Sequence, residues 1–235
     1  MRPRPDHGED TYEGHGLLIG RRALITGGDS GIGRAVAIAL AREGAGVSLG
    51  HLPEEEPHPR ETPALVEQSG AKALTIAADL TDVDACRSLV GTAVAGLGGL
   101  DILVNNAGFH FTRDGTGTLE GLEPELVERV LQTNLAAVLW LCQAALAYLG
   151  EGSSIINTSS IQAYEPSAQL LDYAATKAAV NSITVNLAEQ LGPRGIRVNA
   201  VAPGPIWTPL QPATRNAEEV AKFGSDPPLG RAGQP

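Results

Sequence analysis

The chain has 235 residues, of which 43% are hydrophobic and 19% charged, a balance that supports a folded domain and excludes general disorder. The formal net charge is −10 with no basic stripe, which argues against a nucleic-acid-binding protein. Residues 1–16 lack the apolar core of a signal peptide, and the longest apolar run, 135–149, is too short to cross a membrane. We therefore expect a cytoplasmic protein without a membrane partner.

Short apolar segments alternate with helical patterns after a polar, glycine- and proline-rich stretch at 1–20, which we expect to be an extended arm before one domain at 21–235. The strands are predicted at 23–26, 46–50, 73–80, 101–108, 153–160 and 196–204. The helices are predicted at 34–43, 64–70, 81–99, 123–149 and 172–192, with 205–235 irregular. This alternation indicates an α/β fold, a single Rossmann-type doubly wound parallel sheet with helices on both faces.

Local signals mark three positions within these helices. Thr81 is the predicted N-cap of the third helix, because a threonine hydroxyl can accept a hydrogen bond from a free backbone amide. Cys86 and Cys142 lie within apolar helical patterns, which indicates buried, reduced thiols rather than a disulfide. No cysteine–histidine cluster has the spacing of metal ligands, so we expect no metal site.

The segment TGGDSGIG, residues 26–33, lies between the first predicted strand and the first predicted helix. Gly27 permits a tight turn, Gly31 lets the backbone approach a pyrophosphate, and Gly33 lets the helix pack closely on the strand. The free amides at the start of that helix favour an anion. A simple glycine-rich turn is the alternative, but the position between a strand and a helix favours a dinucleotide site.

The end of the second strand is where many dinucleotide-binding domains carry an acidic residue that binds the ribose hydroxyls. That position falls near His51, so no carboxylate there repels a 2′-phosphate, and no arginine there attracts one. Asp29, within the glycine loop, adds negative charge. The sequence therefore predicts NAD or NADP as cofactor without a preference between them.

Tyr173 and Lys177 are four residues apart in the segment DYAATKAAV, so their side chains project from one face of a helix. A tyrosine hydroxyl has an ordinary pKa of about 10, and a nearby cation favours the phenolate and lowers that pKa. The pair therefore predicts a tyrosine whose pKa is lowered by the lysine. A surface helix with an unrelated tyrosine and lysine is the alternative.

Several further motifs occur in an order that is typical of one enzyme family. With the glycine loop at 26–33, they are DL at 79–80, NNAG at 105–108, Asn134, Ser160, YAATK at 173–177 and PG at 203–204. From about residue 20 to residue 210 the chain resembles the short-chain dehydrogenase/reductase family in its compact form. The arm PDHGEDTYEG and the first helix are similar to a bacterial subgroup of uncharacterised, general-stress and glucose-dehydrogenase-like oxidoreductases.

The resemblance implies four catalytic residues. Tyr173 is implied as the general acid/base, Lys177 as the group that tunes it and holds the nicotinamide ribose, and Ser160 as the donor that polarises the substrate carbonyl. Asn134 is implied to order a water molecule in a proton relay towards Lys177, with a polar residue on a helix surface as the alternative. The implied cofactor-binding residues are Gly27, Asp29, Ser30, Gly31, Ile32, Gly33, His51, Asp79, Leu80, Asn106, Ala107, Gly108, Tyr173, Lys177, Pro203, Gly204, Ile206 and Thr208.

Some of these positions carry a more specific expectation. Asn105, Ala107 and Gly108 are implied to lie beside the adenosine ribose and the central strand. Asp79 is implied to contact the adenine, with a cap on the following helix as an equal alternative. Thr208 is implied to contact the nicotinamide carboxamide.

The substrate side of the site is predicted from residues next to these motifs. Gln162, Tyr164, His110 and Trp207 are expected to form walls of the cleft, and the tail at 205–235 is expected to form a lid over it. The histidines in polar stretches are expected to be solvated: His7, His15 and His58.

The resemblance implies an NAD(P)-dependent oxidoreductase that interconverts an alcohol and an aldehyde or ketone. A non-catalytic dinucleotide-binding or scaffold protein is the alternative, although the intact set of four catalytic residues argues against it. The family's last helix and strand are missing after LGRAGQP, so we expect a six-stranded sheet. A homo-oligomer, either a dimer or a tetramer, is implied if that segment is present.

Overall fold

The computed structural model describes residues 3–55, 61–111 and 119–235, and these ranges contain a six-stranded sheet. The strands are β1 (Arg22–Thr26), β2 (Gly46–His51), β3 (Ala73–Ala77), β4 (Ile102–Asn105), β5 (Ser154–Thr158) and β6 (Arg197–Val201). Their order is β3-β2-β1-β4-β5-β6, and every neighbouring pair is parallel. The predicted doubly wound Rossmann-type fold is therefore confirmed.

Eight α-helices lie within the described ranges. They are α1 (Gly31–Arg42), α2 (Glu61–Gln68), α3 (Val83–Leu97), α4 (Pro124–Leu131), α5 (Ala137–Ala145), α6 (Leu171–Leu191), α7 (Leu210–Thr214) and α8 (Ala217–Lys222). Short 3₁₀ turns occur at Pro53–Glu55, Leu119–Gly121, Ile161–Ala163 and Gly192–Arg194, and a π-helical turn at Gln132–Ala136 joins α4 to α5. None of the described helices combines the length and the apolar character that a membrane crossing needs.

The boundaries differ from the sequence predictions at several points. Helix α1 begins at Gly31, inside the glycine loop, rather than at residue 34. The N-cap of α3 is Asp82, whose carboxylate accepts from the Asp84 amide at 2.7 Å, so the prediction of Thr81 is wrong. Asp82 prevails because its short charged side chain reaches the second helical amide. The tail contains α7 and α8 and is not irregular throughout.

The hydrophobic core forms two layers, one on each face of the sheet. Leu24 of β1 packs with α3 and α5, whereas the next residue, Ile25, packs with α1 and α2. Successive strand residues point to opposite faces, which is why near-continuous apolar strands supply both layers. Cys86 and Cys142 are buried free thiols in the first layer, as predicted, and burial raises their pKa values to about 12 and about 11.

The described part of the N-terminal arm, 3–20, is fastened to the end of α1 rather than extended away from it. The Glu43 carboxylate accepts from the Tyr12 hydroxyl at 2.5 Å and from the backbone amides of His15 and Leu17. The Arg42 guanidinium donates to three backbone carbonyls of the arm. His7 is only 5% exposed, so its predicted solvation is wrong. The hydrogen bonds from Arg42 to Gly8 and Glu9 hold His7 against the body of the protein, whereas His15 is exposed and His58 lies outside the described residues.

Candidate active site

A cavity of about 530 Å³ opens at the carboxyl ends of β1 and β4, where the strand order reverses. This switch point is where open parallel sheets bind ligands, and the volume suits a small-molecule site. The implied site residues that line the cavity are Gly27, Asp29, Ser30, Gly31, Ile32, His51, Asp79, Leu80, Asn106, Ala107, Gly108, Ser160, Tyr173, Lys177, Pro203, Gly204, Ile206 and Thr208. Gly33 and Asn134 are not part of that lining and lie behind it.

The glycine turn leaves no room for side chains. Gly27 has a φ of +62°, and a Cβ there would lie 3.1 Å from the Cα of Ala107. A Cβ on Gly33 would lie 1.9 Å from the carbonyl oxygen of Gly27, which accounts for its position behind the cavity. Ser30 precedes α1 without a side-chain cap, so the first amides of that helix remain available to an anion. The turn therefore fits a pyrophosphate held by backbone amides.

Arg34 fixes the shape of this turn and was not identified from the sequence. Its guanidinium donates to the backbone carbonyl of Asp29 at 2.8 and 3.1 Å and pairs with the Glu61 carboxylate at 2.9 Å. The Thr62 hydroxyl donates to the same Asp29 carbonyl at 2.8 Å. An arginine directly after the last glycine was the available signal, but its partners on α2 depend on tertiary contacts.

His51 at the end of β2 and Asp79 shortly after β3 both have polar partners that are close by in the sequence. His51 is buried at the end of β2, and its Nδ1 lies 3.0 Å from the carbonyl oxygen of Leu52. Asp79 lines the cavity, and its carboxylate accepts from both the amide and the hydroxyl of Thr81. Asp79 therefore stabilises the turn before α3, while the cap of that helix is a different residue.

The two asparagines of NNAG point to opposite sides. Asn105 is buried at the end of the central strand β4, as implied, and donates to the Asn157 side chain at 2.8 Å; it is not among the residues that line the cavity. Asn105 is the last residue of β4, and the strand alternation that turns Asn106 into the cavity turns Asn105 into the core. Asn106 donates to the carbonyl oxygens of Thr26 and Gly27, which ties the loop after β4 to the glycine turn.

Asn134 lies in the π-helical turn between α4 and α5, a feature that often marks functional sites. Its side chain is buried and pairs with the backbone of Phe109, accepting from the amide at 3.0 Å and donating to the carbonyl at 2.9 Å. A Cβ on Gly108 would lie 3.2 Å from Asn134 Oδ1 and 3.4 Å from Lys177 Nζ. Asn134 and Lys177 therefore both approach Gly108, on the side of the cavity formed by α6.

Tyr173 and Lys177 face the cavity from one side of α6, and both side chains are largely buried. Lys177 Nζ donates to the Thr158 carbonyl at 2.7 Å and lies 5.5 Å from the centre of the Tyr173 ring. Burial lowers the pKa of Lys177 to about 8. The pKa of Tyr173 is raised by burial, against which a hydrogen bond with Ser160 acts.

The direction of the Tyr173 shift corrects the prediction that the lysine lowers its pKa. Desolvation of the phenolate is the larger effect in the protein itself. Ser160 provides the opposing hydrogen bond, and its hydroxyl also accepts from the Gln162 amide at 3.2 Å.

Only one of the four predicted wall residues lines the cavity. His110 does so, with its ring edge-on to Tyr173 at a centroid distance of 5.2 Å. Gln162 and Tyr164 do not line it, and Trp207 is turned towards the arm, where its Nε1 donates to the Pro3 carbonyl at 2.9 Å. The polar and aromatic lining residues that sequence reasoning did not single out are Thr26, Phe109, Phe111, Arg129, Thr133, Thr158, Ser159, Gln211 and Thr214.

Comparison with known proteins places this arrangement in context. Residues 21–219 match the model of the short chain dehydrogenase family. The Bacillus subtilis (strain 168) protein named uncharacterized oxidoreductase YhxD is 50% identical over 239 residues, covering 100% of this chain and 79% of that protein. The glucose and ribitol dehydrogenase of Daucus carota is 45% identical over 240 residues, covering 100% of this chain and 81% of that protein.

Solved structures give the same assignment. A short chain dehydrogenase from Burkholderia cenocepacia J2315, in complex with NADP, aligns with a TM-score of 0.82 at 40% identity, over 92% of this chain and 86% of that one. The glycine turn has the backbone access that a dinucleotide requires. The chain therefore belongs to the short-chain dehydrogenase/reductase family and is an NAD(P)-dependent oxidoreductase.

Proposed function

We propose that the protein interconverts an alcohol and an aldehyde or ketone, with Tyr173 as the general acid/base. The observation that carries this proposal is the placement of Tyr173 in the cavity, hydrogen-bonded to Ser160 and on the same helix face as Lys177. A tyrosine with a raised pKa is protonated near neutrality and is therefore ready to donate a proton to a developing alkoxide.

Each side chain of the site has a separate task in this proposal. Ser160 donates a hydrogen bond to the substrate oxygen, and Tyr173 transfers its proton to the same oxygen. Lys177 provides positive charge close to that transfer, and its bond to the Thr158 carbonyl fixes its position. The nicotinamide dinucleotide, when bound, supplies or accepts the hydride. The glycine turn and the start of α1 would hold its phosphates.

We propose that NADP is accepted as cofactor. His51 occupies the end of β2 where an acidic residue would repel a 2′-phosphate, and the related structure from Burkholderia cenocepacia contains NADP. Fluorescence titration with NADP and NAD would measure the two dissociation constants. Binding of NAD alone would contradict this part of the proposal.

The first substrates to test are polyols, sugars and simple aldehydes. One relative is named as a glucose and ribitol dehydrogenase, which supports this choice.

We also propose that the tail from Pro205 acts as a lid, since Thr208, Gln211 and Thr214 of this segment line the cavity.

The central test is Tyr173→Phe, which removes only the hydroxyl. We expect kcat/KM to fall by about 10³-fold, because the proton donor is lost, while the dissociation constant of the cofactor changes little. Tyr148→Phe is the matched control, since Tyr148 is exposed and distant from the cavity lining. Undiminished turnover by Tyr173→Phe would refute the mechanism. Cofactor binding by the wild type without turnover of any carbonyl would support the scaffold alternative.

We propose that the protein forms a homo-oligomer through α5 and α6. Leu139 on α5 and Val185 on α6 are 45% and 71% exposed, and the small residues Ser182 and Ala188 lie one turn before and after Val185. Light scattering should show a dimer or tetramer that Val185→Glu converts to smaller species. A monomeric wild type would contradict the proposal.

Two buried free thiols support a reducing compartment, and we propose the cytoplasm.

A further inference from the structure

His110 is a buried polar side chain in the cavity that the proposed mechanism does not use. It lies in the loop after β4, is only 4% exposed, and lines the cavity beside Tyr173. The two rings meet edge-on, with centroids 5.2 Å apart and planes at 67°. Its Nδ1 has no hydrogen-bond partner among the described residues.

An unpartnered ring nitrogen in a buried position destabilises the protein unless a ligand forms a hydrogen bond with it. Leaving a buried donor or acceptor unsatisfied destabilises a protein, so such groups usually have a partner in the functional state. Because the His110 ring contacts the Tyr173 ring, its partner must lie close to the group that exchanges the proton. A substituent next to the reacting carbon of a substrate meets that condition.

The charge state of His110 restricts the chemistry of this partner. Burial lowers its pKa to about 4, with the nearby Arg215 acting in the same direction and Asp172 against it. The ring is therefore neutral at physiological pH, and its unpartnered Nδ1 is a donor in one tautomer and an acceptor in the other. A hydroxyl group, which can both donate and accept, suits either tautomer.

The neighbouring walls are consistent with a hydroxylated substrate. Gln211 and Thr214 on α7 add polar side chains to the same cavity. Phe109 and Phe111, whose rings meet edge-on at 5.0 Å, flank His110 in sequence and also line the cavity. The cavity thus combines an apolar boundary with several neutral polar groups, a combination that gives ligands their orientation.

We propose that His110 hydrogen-bonds a hydroxyl group on the carbon next to the reacting carbon, so that hydroxyaldehydes, hydroxyketones and polyols are the preferred substrates. This inference rests on the proposed function, because it requires Tyr173 to act on the neighbouring oxygen. His110 is then a substrate-binding residue that determines specificity.

The test compares glycolaldehyde with propanal, which carry a hydroxyl and a methyl group at the same position. We expect the wild type to reduce glycolaldehyde with the higher kcat/KM. His110→Leu should lower the glycolaldehyde-to-propanal ratio by about 10-fold or more, because the leucine offers no partner for the hydroxyl. His110→Gln, which keeps a donor and an acceptor, should retain part of the preference. His15→Leu makes the same change at an exposed histidine and should leave the ratio unchanged.

The outcomes separate this inference from the proposed function. An unchanged ratio in His110→Leu would overturn the inference while leaving the function intact. An equal loss for both aldehydes would also overturn it, since the ring would then only position Tyr173. If His110→Leu does not fold, as judged by its thermal transition, a ratio in His110→Gln that lies between one and the wild-type value supports the inference, and an unchanged ratio overturns it. Failure of the wild type to reduce any carbonyl with either cofactor would refute the proposed function and the inference together.

Discussion

The two sides of the cavity are built by opposite means. On the β1 side, glycines bring backbone close to backbone. An added Cβ on Gly27 would lie 3.1 Å from the Cα of Ala107, and one on Gly33 would lie 1.9 Å from the Gly27 carbonyl oxygen. On the α6 side the chain buries side chains that can carry charge, namely Tyr173 and Lys177, and His110 faces them from the loop after β4.

Substitutions on the β1 side should therefore act through steric fit, and substitutions on the α6 side through electrostatics. Substitution on the β1 side changes the fit of backbone against backbone and should affect folding and cofactor binding together. Substitution on the α6 side relieves or alters desolvated charge and should affect turnover and pH dependence with little loss of folding. Three experiments test this division, and a fourth changes a residue outside both sides.

Lys177→Met gives the largest expected effect and tests the α6 side. We expect kcat/KM to fall by about 10²-fold or more, because the positive charge near the proton transfer is removed. The unfolding midpoint in urea at pH 7 should not fall, since the native pKa of about 8 lies below the ordinary value and burial therefore disfavours the charged lysine. A clearly lower midpoint would show that Lys177 stabilises the fold and would remove the contrast between the two sides.

Gly33→Ala tests the β1 side. A Cβ would lie 1.9 Å from the Gly27 carbonyl, so we expect the free energy of unfolding to fall by about 3 kcal/mol, with weaker cofactor binding. Gly91→Ala is the control, because Gly91 lies in α3 with no atom within 4 Å of the new Cβ. That control should gain about 0.5 kcal/mol from helix propensity. Equal behaviour of the two variants would argue against close packing at the turn.

The acid sensitivity of folding tests whether His110 belongs to the charge-controlled side. Its native pKa of about 4 lies below the unfolded value of 6.5, so the unfolded chain binds more protons between these pH values. Stability should therefore decrease as the pH falls from 6.5 towards 4, with at most about 3 kcal/mol attributable to this residue. His110→Gln should show a shallower decrease in denaturant titrations. Parallel curves for variant and wild type would contradict the assigned pKa.

Glu43→Gln should have the smallest effect and lies outside both sides. The Tyr12 hydroxyl, the Leu17 amide and the His15 amide lower the pKa of Glu43 to about 2. Its contribution is therefore present above the unfolded pKa and is lost as the pH falls towards 2. We expect faster proteolysis within residues 3–20 and unchanged kcat/KM. A large loss of turnover would connect the arm to the catalytic side.

The glycine turn and the Tyr173–Lys177 pair were predictable because each signal is local to a few residues. Strand and helix order followed from the alternation of apolar segments. The orientation of Asn105 was also available in principle, since strand alternation places it opposite Asn106.

Other features depend on segments that are distant in sequence. Arg34 reaches Glu61 on another helix, and the π-helical turn that places Asn134 has no local sequence signal. The raised pKa of Tyr173 reflects burial by several elements, which a spacing of four residues cannot reveal. His7 was misjudged for the same reason, because a polar local sequence does not exclude burial.

The hydrogen bond from Trp207 to Pro3 joins the arm to the segment beside the cavity, and its neighbours Ile206 and Thr208 both line that cavity. A second hydrogen bond, from the Asp6 amide to the Gln234 side chain, also joins the arm to the C-terminal tail, and we call this contact the arm–tail seam. The chain has one other tryptophan, Trp140. In a Trp140→Phe protein the tryptophan fluorescence would therefore come from Trp207 alone and would report on the arm–tail seam. Dyes attached near residues 6 and 234 would report its opening as a change in energy transfer.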